Sequence, residues 1–171
     1  MLAMEGEPMT KSTPYASATS NMRAREETRK ILLHFGCQSV GFMDDAARGD
    51  VLLAFEYQGQ QVQVRVSAKG WAAWWLKKNP YSGHRRCSRY EWEQKALHQG
   101  LIAVNSMIRD WIKSQLMMIE AGARSFEVAF MPDLLTADGR TVAERITQLK
   151  LLPARKRRRW SSCQAVPHKE N

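Results

Sequence analysis

Two His-x-x-Cys pairs, His34/Cys37 and His84/Cys87, bring together four groups of the kind that hold a tetrahedral zinc ion. Cys163 and His168 add one more of each type. The spacing argues against a metal: the first pair straddles a helix end, the second falls in a loop, and there is no Cys-x-x-Cys. Independent side chains are the better reading. Carboxylates are the next possibility. Nucleases built on an α-β-β-β-α core carry a metal-binding Asp and a Glu-x-Lys on their strands, and Asp50 and Glu56 stand in the right part of the chain. Glu56-Tyr57-Gln58 lacks the lysine, so the convergent set that metal-assisted hydrolysis requires is missing. There is no Gly-rich phosphate loop, and no serine or cysteine nucleophile with a neighbouring base. The chain reads as a non-enzyme with no cofactor, metal or small-molecule substrate.

Residues 69–89 are the third possibility. They hold Lys69, Lys77, Lys78, Arg85, Arg86 and Arg89 with no acidic residue, and Trp71, Trp74, Trp75 and Tyr81 are interleaved with them. Proteins that grip single-stranded nucleic acid combine a cationic groove with aromatic platforms, each stacked base contributing ~1–3 kcal/mol. The competing reading is that the tryptophans pack under a helix and leave the lysines solvated, since aromatics at helical spacing commonly belong to a core. Net charge favours the first reading. It is +9, with a pI near 9.8, and more than half of it sits in residues 153–171, which include Arg155, Lys156, Arg157, Arg158 and Arg159. The candidate nucleic-acid-binding set is therefore Lys69, Trp74, Trp75, Lys77, Lys78, Tyr81, Arg85, Arg86, Arg89 and Arg155 through Arg159.

The element that must position this set is a long helix over residues 88–122. Ser88 and Glu91 form a capping box at its start, and Gly122 supplies a left-handed residue at its end. Leu97, Leu101, Val104, Ile108, Trp111, Ile112, Leu116 and Ile119 recur at steps of three and four, giving one apolar face. Gly100 is its weakest point and the expected place for a kink. A first helix is expected over residues 22–35, ended by Gly36. Short strands follow over residues 39–43, 50–57 and 61–66, the last alternating valine with polar residues through a Gln58-Gly59 turn. Residues 71–75 fit one helical turn before Asn79-Pro80. Downstream come a helical turn with Phe126 and Phe130, an extended piece at 134–136, and a last helix opened by a Thr141/Glu144 capping box and carrying Val142, Ile146 and Leu149. The fold class is α+β: an N-terminal helix, a three-stranded antiparallel meander covered by the long helix (α-β-β-β-α), then a short C-terminal helix. The domain occupies residues 22–152, between a disordered leader (1–21) and a basic disordered tail (153–171).

Three cysteines without framework spacing indicate a reducing compartment, and no apolar run is long enough to span a membrane. A cytoplasmic protein with no membrane partner is expected.

Several of these residues follow a pattern seen elsewhere. Ile112-Lys113, Leu116, Ile119-Glu120-Ala121-Gly122, Ser125-Phe126-Glu127, Phe130-Met131 and Asp138-Gly139-Arg140-Thr141-Val142, with His34-Phe35-Gly36 and Val40-Gly41-Phe42 upstream, resemble a family of short uncharacterised proteins of tailed phages and prophages. The resemblance covers about residues 23–147. That family usually carries an Arg-Trp-Arg run where Val104-Asn105-Ser106 stand here. The resemblance implies phage or prophage origin, often among replication and recombination genes, hence a bacterial host cytosol. It implies no activity.

Two functions follow as expectations. One is a phage-encoded nucleic-acid-binding accessory protein of replication or recombination, binding single strands without sequence preference. The alternative is a host-directed protein whose basic surface docks on a protein complex, inhibiting a bacterial defence system in the manner of anti-CRISPR proteins.

Overall fold

A computed structural model describes residues 13–83 and 86–153 of the chain. Helix α1 (Asn21–Phe35) starts at Ser20, whose hydroxyl accepts from the Arg23 amide, and ends at Gly36 in the left-handed region. Strands β1 (Ser39–Asp45), β2 (Asp50–Tyr57) and β3 (Gln60–Ser67) form an antiparallel meander in that order. The register places Val40, Phe55 and Val62 in one row and Phe42, Leu53 and Val64 in the next. Strand alternation therefore gathers these apolar side chains on one face. Val51, Leu53, Phe55, Val62 and Val64 on that face are buried in one core with Ile108, Ile112, Leu116, Phe126 and Phe130. The architecture is the expected α+β arrangement.

Helix α3 (Arg89–Glu120) is continuous and carries both halves of the Ser88/Glu91 capping box. Gly122 follows its end at φ 69°. Gly100 is not a break. A Cβ built there would lie 2.7 Å from the Ala68 carbonyl oxygen, so this glycine is where a second helix crosses α3 at backbone contact. That helix, α2 (Ala68–Lys78), runs on directly from β3 with Ser67 as its cap, and is three turns rather than the single turn expected. Ala68 and Ala72 on α2, and Ala96, Gly100 and Ala103 on α3, are all buried. Small side chains on both helices let the axes come close. Trp111, on the same apolar face of α3 as Ile108 and Leu116, is half-buried and stands edge-on to Phe130, with ring centroids 5.6 Å apart.

Residues 13–20, assigned to the leader on sequence, pack against the helices. Thr13 is buried; the Trp71 indole donates to the Pro14 carbonyl (3.2 Å), the Tyr15 hydroxyl to Asp110 (2.9 Å), and the Gln99 amide to the Ala18 carbonyl (2.9 Å). The physical reason is polar satisfaction: a buried indole N–H needs an acceptor, and this segment supplies it. Residues 1–12 and 154–171, hence most of the expected leader and tail, lie outside the described residues.

Beyond α3, helix α4 (Phe126–Phe130) leads through a 3-10 turn (Met131–Asp133) to a short extended piece. Leu134 bridges Val62 and the Leu135 amide donates to the Gln61 carbonyl (2.8 Å), covering the first residues of the β3 edge. Helix α5 (Val142–Gln148) opens with its capping box at Thr141. Val142 and Ile146 are half-buried, and Leu149, which caps the helix after Gln148, is exposed. No helix among the described residues is long and apolar enough to cross a membrane.

Candidate nucleic-acid interface

The geometry of α2 sorts the three tryptophans. At about 100° per residue, Trp71 and Trp75 fall about 40° apart on the helix, while Trp74 lies on the other side of Trp71. Trp71 is buried against Gly100, its ring carbon 3.4 Å from the position of a Cβ there. Trp75 is half-buried, its ring 5.0 Å from that of Trp92 on α3. Trp74 is 39% exposed, with the Lys78 ammonium 4.8 Å from the ring centroid. Of the two tryptophans in the candidate set, Trp74 presents an accessible ring and Trp75 is mainly a packing residue.

Trp92 is the residue that sequence reasoning passed over. Its indole donates to the Asn79 carbonyl (3.1 Å) and its ring holds Trp75, so it pins the C-terminus of α2 to the N-terminal turn of α3. The signal was present: Trp92, Ala96, Gly100 and Ala103 recur at helical spacing, although small residues do not register as an apolar face. Tyr90, 69% exposed in the first turn of α3, is a second open ring beside Arg89.

The cations divide as well. Lys77, Lys78 and Arg86 are exposed and form no ion pair among the described residues. Arg89 is paired with Glu93 at 3.1 Å, one helical turn along. Lys69 stands at the other end of α2, about 13 Å from Lys78 along the axis by helix rise. Its ammonium donates to the Ala47 carbonyl (2.8 Å), so it is not brought to this corner. Tyr81 ties the loop back on itself, its hydroxyl donating to the Cys87 carbonyl (2.9 Å). Arg85 and residues Arg155, Lys156, Arg157, Arg158 and Arg159 lie outside the described residues. At the start of α3 the Glu91 carboxylate accepts from the Ser88 amide (2.7 Å) and the Glu91 amide donates to the Ser88 hydroxyl (3.2 Å); the first of these bonds holds the Glu91 pKa down.

No family model, curated protein or solved structure matches the chain.

The other sequence candidates are separated by the fold. Cys37 is buried, its thiol pushed up to about 11 by desolvation, while His34 is exposed. Cys87 is half-exposed on the loop; His84, Cys163 and His168 lie outside the described residues. Among the described residues, no group of three or more His, Cys, Asp or Glu side chains could share a metal ion. Asp50 and Glu56 stand six residues apart on β2, about 20 Å by strand rise.

Val104, Asn105 and Ser106 are buried on α3. The Asn105 carbonyl oxygen accepts from Arg25 (2.9 Å) and its amide donates to the Leu101 carbonyl (2.7 Å), while Arg25 also pairs with Asp44 and lies over Phe42. Asn105 therefore stands where α3 meets α1, while Val104 belongs to the core shared with the sheet.

Proposed function

We propose that the corner formed by the end of α2 and the start of α3 binds single-stranded nucleic acid without sequence preference. The protein would thereby serve as an accessory factor in phage replication or recombination in the host cytosol. The observation that carries the reading is Trp74: a tryptophan ring open to solvent on a helix whose neighbouring tryptophans are packed. Lys78 lies against it, and Lys77 and Arg86 have no ion-pair partner among the described residues. A base can stack on the open ring while these cations neutralise phosphates, and neither interaction reads base identity. The paired Arg89 would have to leave Glu93 to take part. The resemblance to short phage proteins supplies the biological setting and nothing about the contact.

Fluorescence anisotropy with a labelled oligothymidylate at several salt concentrations tests this. Three unpaired cations predict a log–log salt slope of roughly −2, at about −0.7 per phosphate contact on a single strand. Trp74→Ala lowers affinity by ~1–3 kcal/mol and leaves the slope nearly unchanged, because stacking releases few ions. Reversing Lys77 and Arg86 to Glu lowers affinity and flattens the slope. A chain lacking residues 154–171 retains binding. If that deletion alone abolishes it, the tail is a generic anchor and the corner has no role. Absence of binding at low salt refutes the reading and leaves docking on an acidic host protein as the better account.

A further inference from the structure

The sheet has two edges, and the chain treats them differently. The start of the β3 edge is covered, by Leu134 against Val62 and by the Leu135 amide on the Gln61 carbonyl. On the β1 edge, no backbone hydrogen bond from another described segment reaches residues 39–44. β1 is seven residues long, pairs with β2 without a bulge, and contains no lysine or proline, two of the devices that blunt an exposed edge. Its charged residues, Asp44 and Asp45, sit together at one end and are already paired with Arg25 and Arg48.

We propose that β1 is a homodimerisation edge, where a second copy of this chain adds its own β1 in antiparallel register to form a six-stranded sheet. Centring a two-fold axis on Phe42, the midpoint of the strand, pairs all seven residues and places Asp44 opposite Val40 and Asp45 opposite Ser39 of the other copy. No charge then faces a like charge. The same register sets Met43 of each copy opposite Gly41 of the other on the outer face of the sheet. Met43 is 63% exposed, and nothing lies within 4 Å of where a Cβ on Gly41 would be. Gly41 and Ala54 sit in an open hollow of about 390 Å³, so a large side chain meets a vacant place twice over in one symmetric contact. The hydrogen-bonding edge selects a strand as partner, and the large–small match selects this strand. Nothing in it depends on nucleic acid.

Sedimentation equilibrium of the full chain from micromolar to near-millimolar concentration is the test. The expected result is a reversible monomer–dimer equilibrium that Met43→Lys weakens tenfold or more while the thermal melt is unchanged. A second variant fixes the register. Directly opposed strand residues have Cα atoms about 4.5–5.5 Å apart, within disulfide range, so the double variant Ser39→Cys/Asp45→Cys crosslinks two copies under mild oxidation. Neither single variant crosslinks at that rate. A monomer at every concentration overturns the proposal, as does a Met43→Lys protein that associates like the parent. Equal crosslinking of the single and double variants overturns the register and with it the Met43–Gly41 contact.

Discussion

Replacing Gly100 by alanine in the middle of a 32-residue helix would ordinarily stabilise it by ~0.8–1 kcal/mol, because alanine is the best helix former and glycine among the poorest. The structure reverses the sign. The added methyl carbon would stand 2.7 Å from the Ala68 carbonyl oxygen and 3.5 Å from the Ala68 carbonyl carbon. A comfortable carbon–oxygen contact is about 3.3–3.6 Å, so α2 and α3 must separate by roughly 0.6 Å or more. The atom in the way is backbone and cannot swing aside. Overpacking a close contact costs typically ~1–3 kcal/mol, which exceeds the propensity gain, and we expect Gly100→Ala to lose about 1 kcal/mol net. That corresponds to a fall of ~2–4 °C in Tm for a chain of this size. Urea unfolding measures it, calibrated by Gln94→Ala against Gln94→Gly at an exposed position of the same helix, where alanine should win by the propensity difference alone. If Gly100→Ala unfolds at higher urea than the parent with an unchanged m value, the helices do not meet at backbone contact. The account of α2 given above then fails.

Two further outcomes follow from burial. Cys37, with its thiol pushed up to about 11, holds almost no thiolate near neutrality, so a thiol reagent followed by peptide mapping should label Cys87 well before Cys37, which reacts only on unfolding; equal rates at these two would refute the burial of Cys37. Asp133 is half-buried and desolvation raises its pKa, so its ionised form is disfavoured in the folded state; stability is fullest below the ordinary value of 3.8 and is lost as pH rises through the raised one. Asp133→Asn should therefore raise Tm at neutral pH with the gain vanishing in acid, and a pH-independent difference between the two proteins would show that the carboxylate is not desolvated.

What could be read from the chain depended on how local the chemistry is. Both capping boxes, Ser88/Glu91 and Thr141/Glu144, are formed as their spacing requires, because reciprocal hydrogen bonds across three residues need nothing from the rest of the fold. The meander follows from alternation and a Gln58-Gly59 turn. The path of α2 was not legible, since its packing face consists of Ala68, Ala72 and Trp71, and the facing stripe on α3 of Ala96, Gly100 and Ala103. A search for large apolar residues finds Leu97 and Leu101, which are only partly buried, and passes over the small ones on which the second helix sits. Residues 13–20 were invisible for a related reason. They hold no apolar periodicity, and their ordering comes from three long-range hydrogen bonds whose partners are 57 to 95 positions away.

The candidate site inherits its definition from that packing. Trp74 is the open ring because Trp71 and Trp75 share the face that α2 turns toward α3, and a roll of α2 by one residue, about 100°, would exchange the exposed ring for a packed one. Three contacts oppose such a roll: the Gly100–Ala68 backbone approach, the Trp75–Trp92 ring contact, and the Trp71 indole held by the Pro14 carbonyl. The first two act between the helices and the third comes from the leader. Residues 13–20 thus belong to the corner energetically although none of them need touch a ligand. Basic and aromatic composition alone could supply the cations and the rings of a nucleic-acid site. Which ring meets solvent is decided by a glycine on the opposite helix.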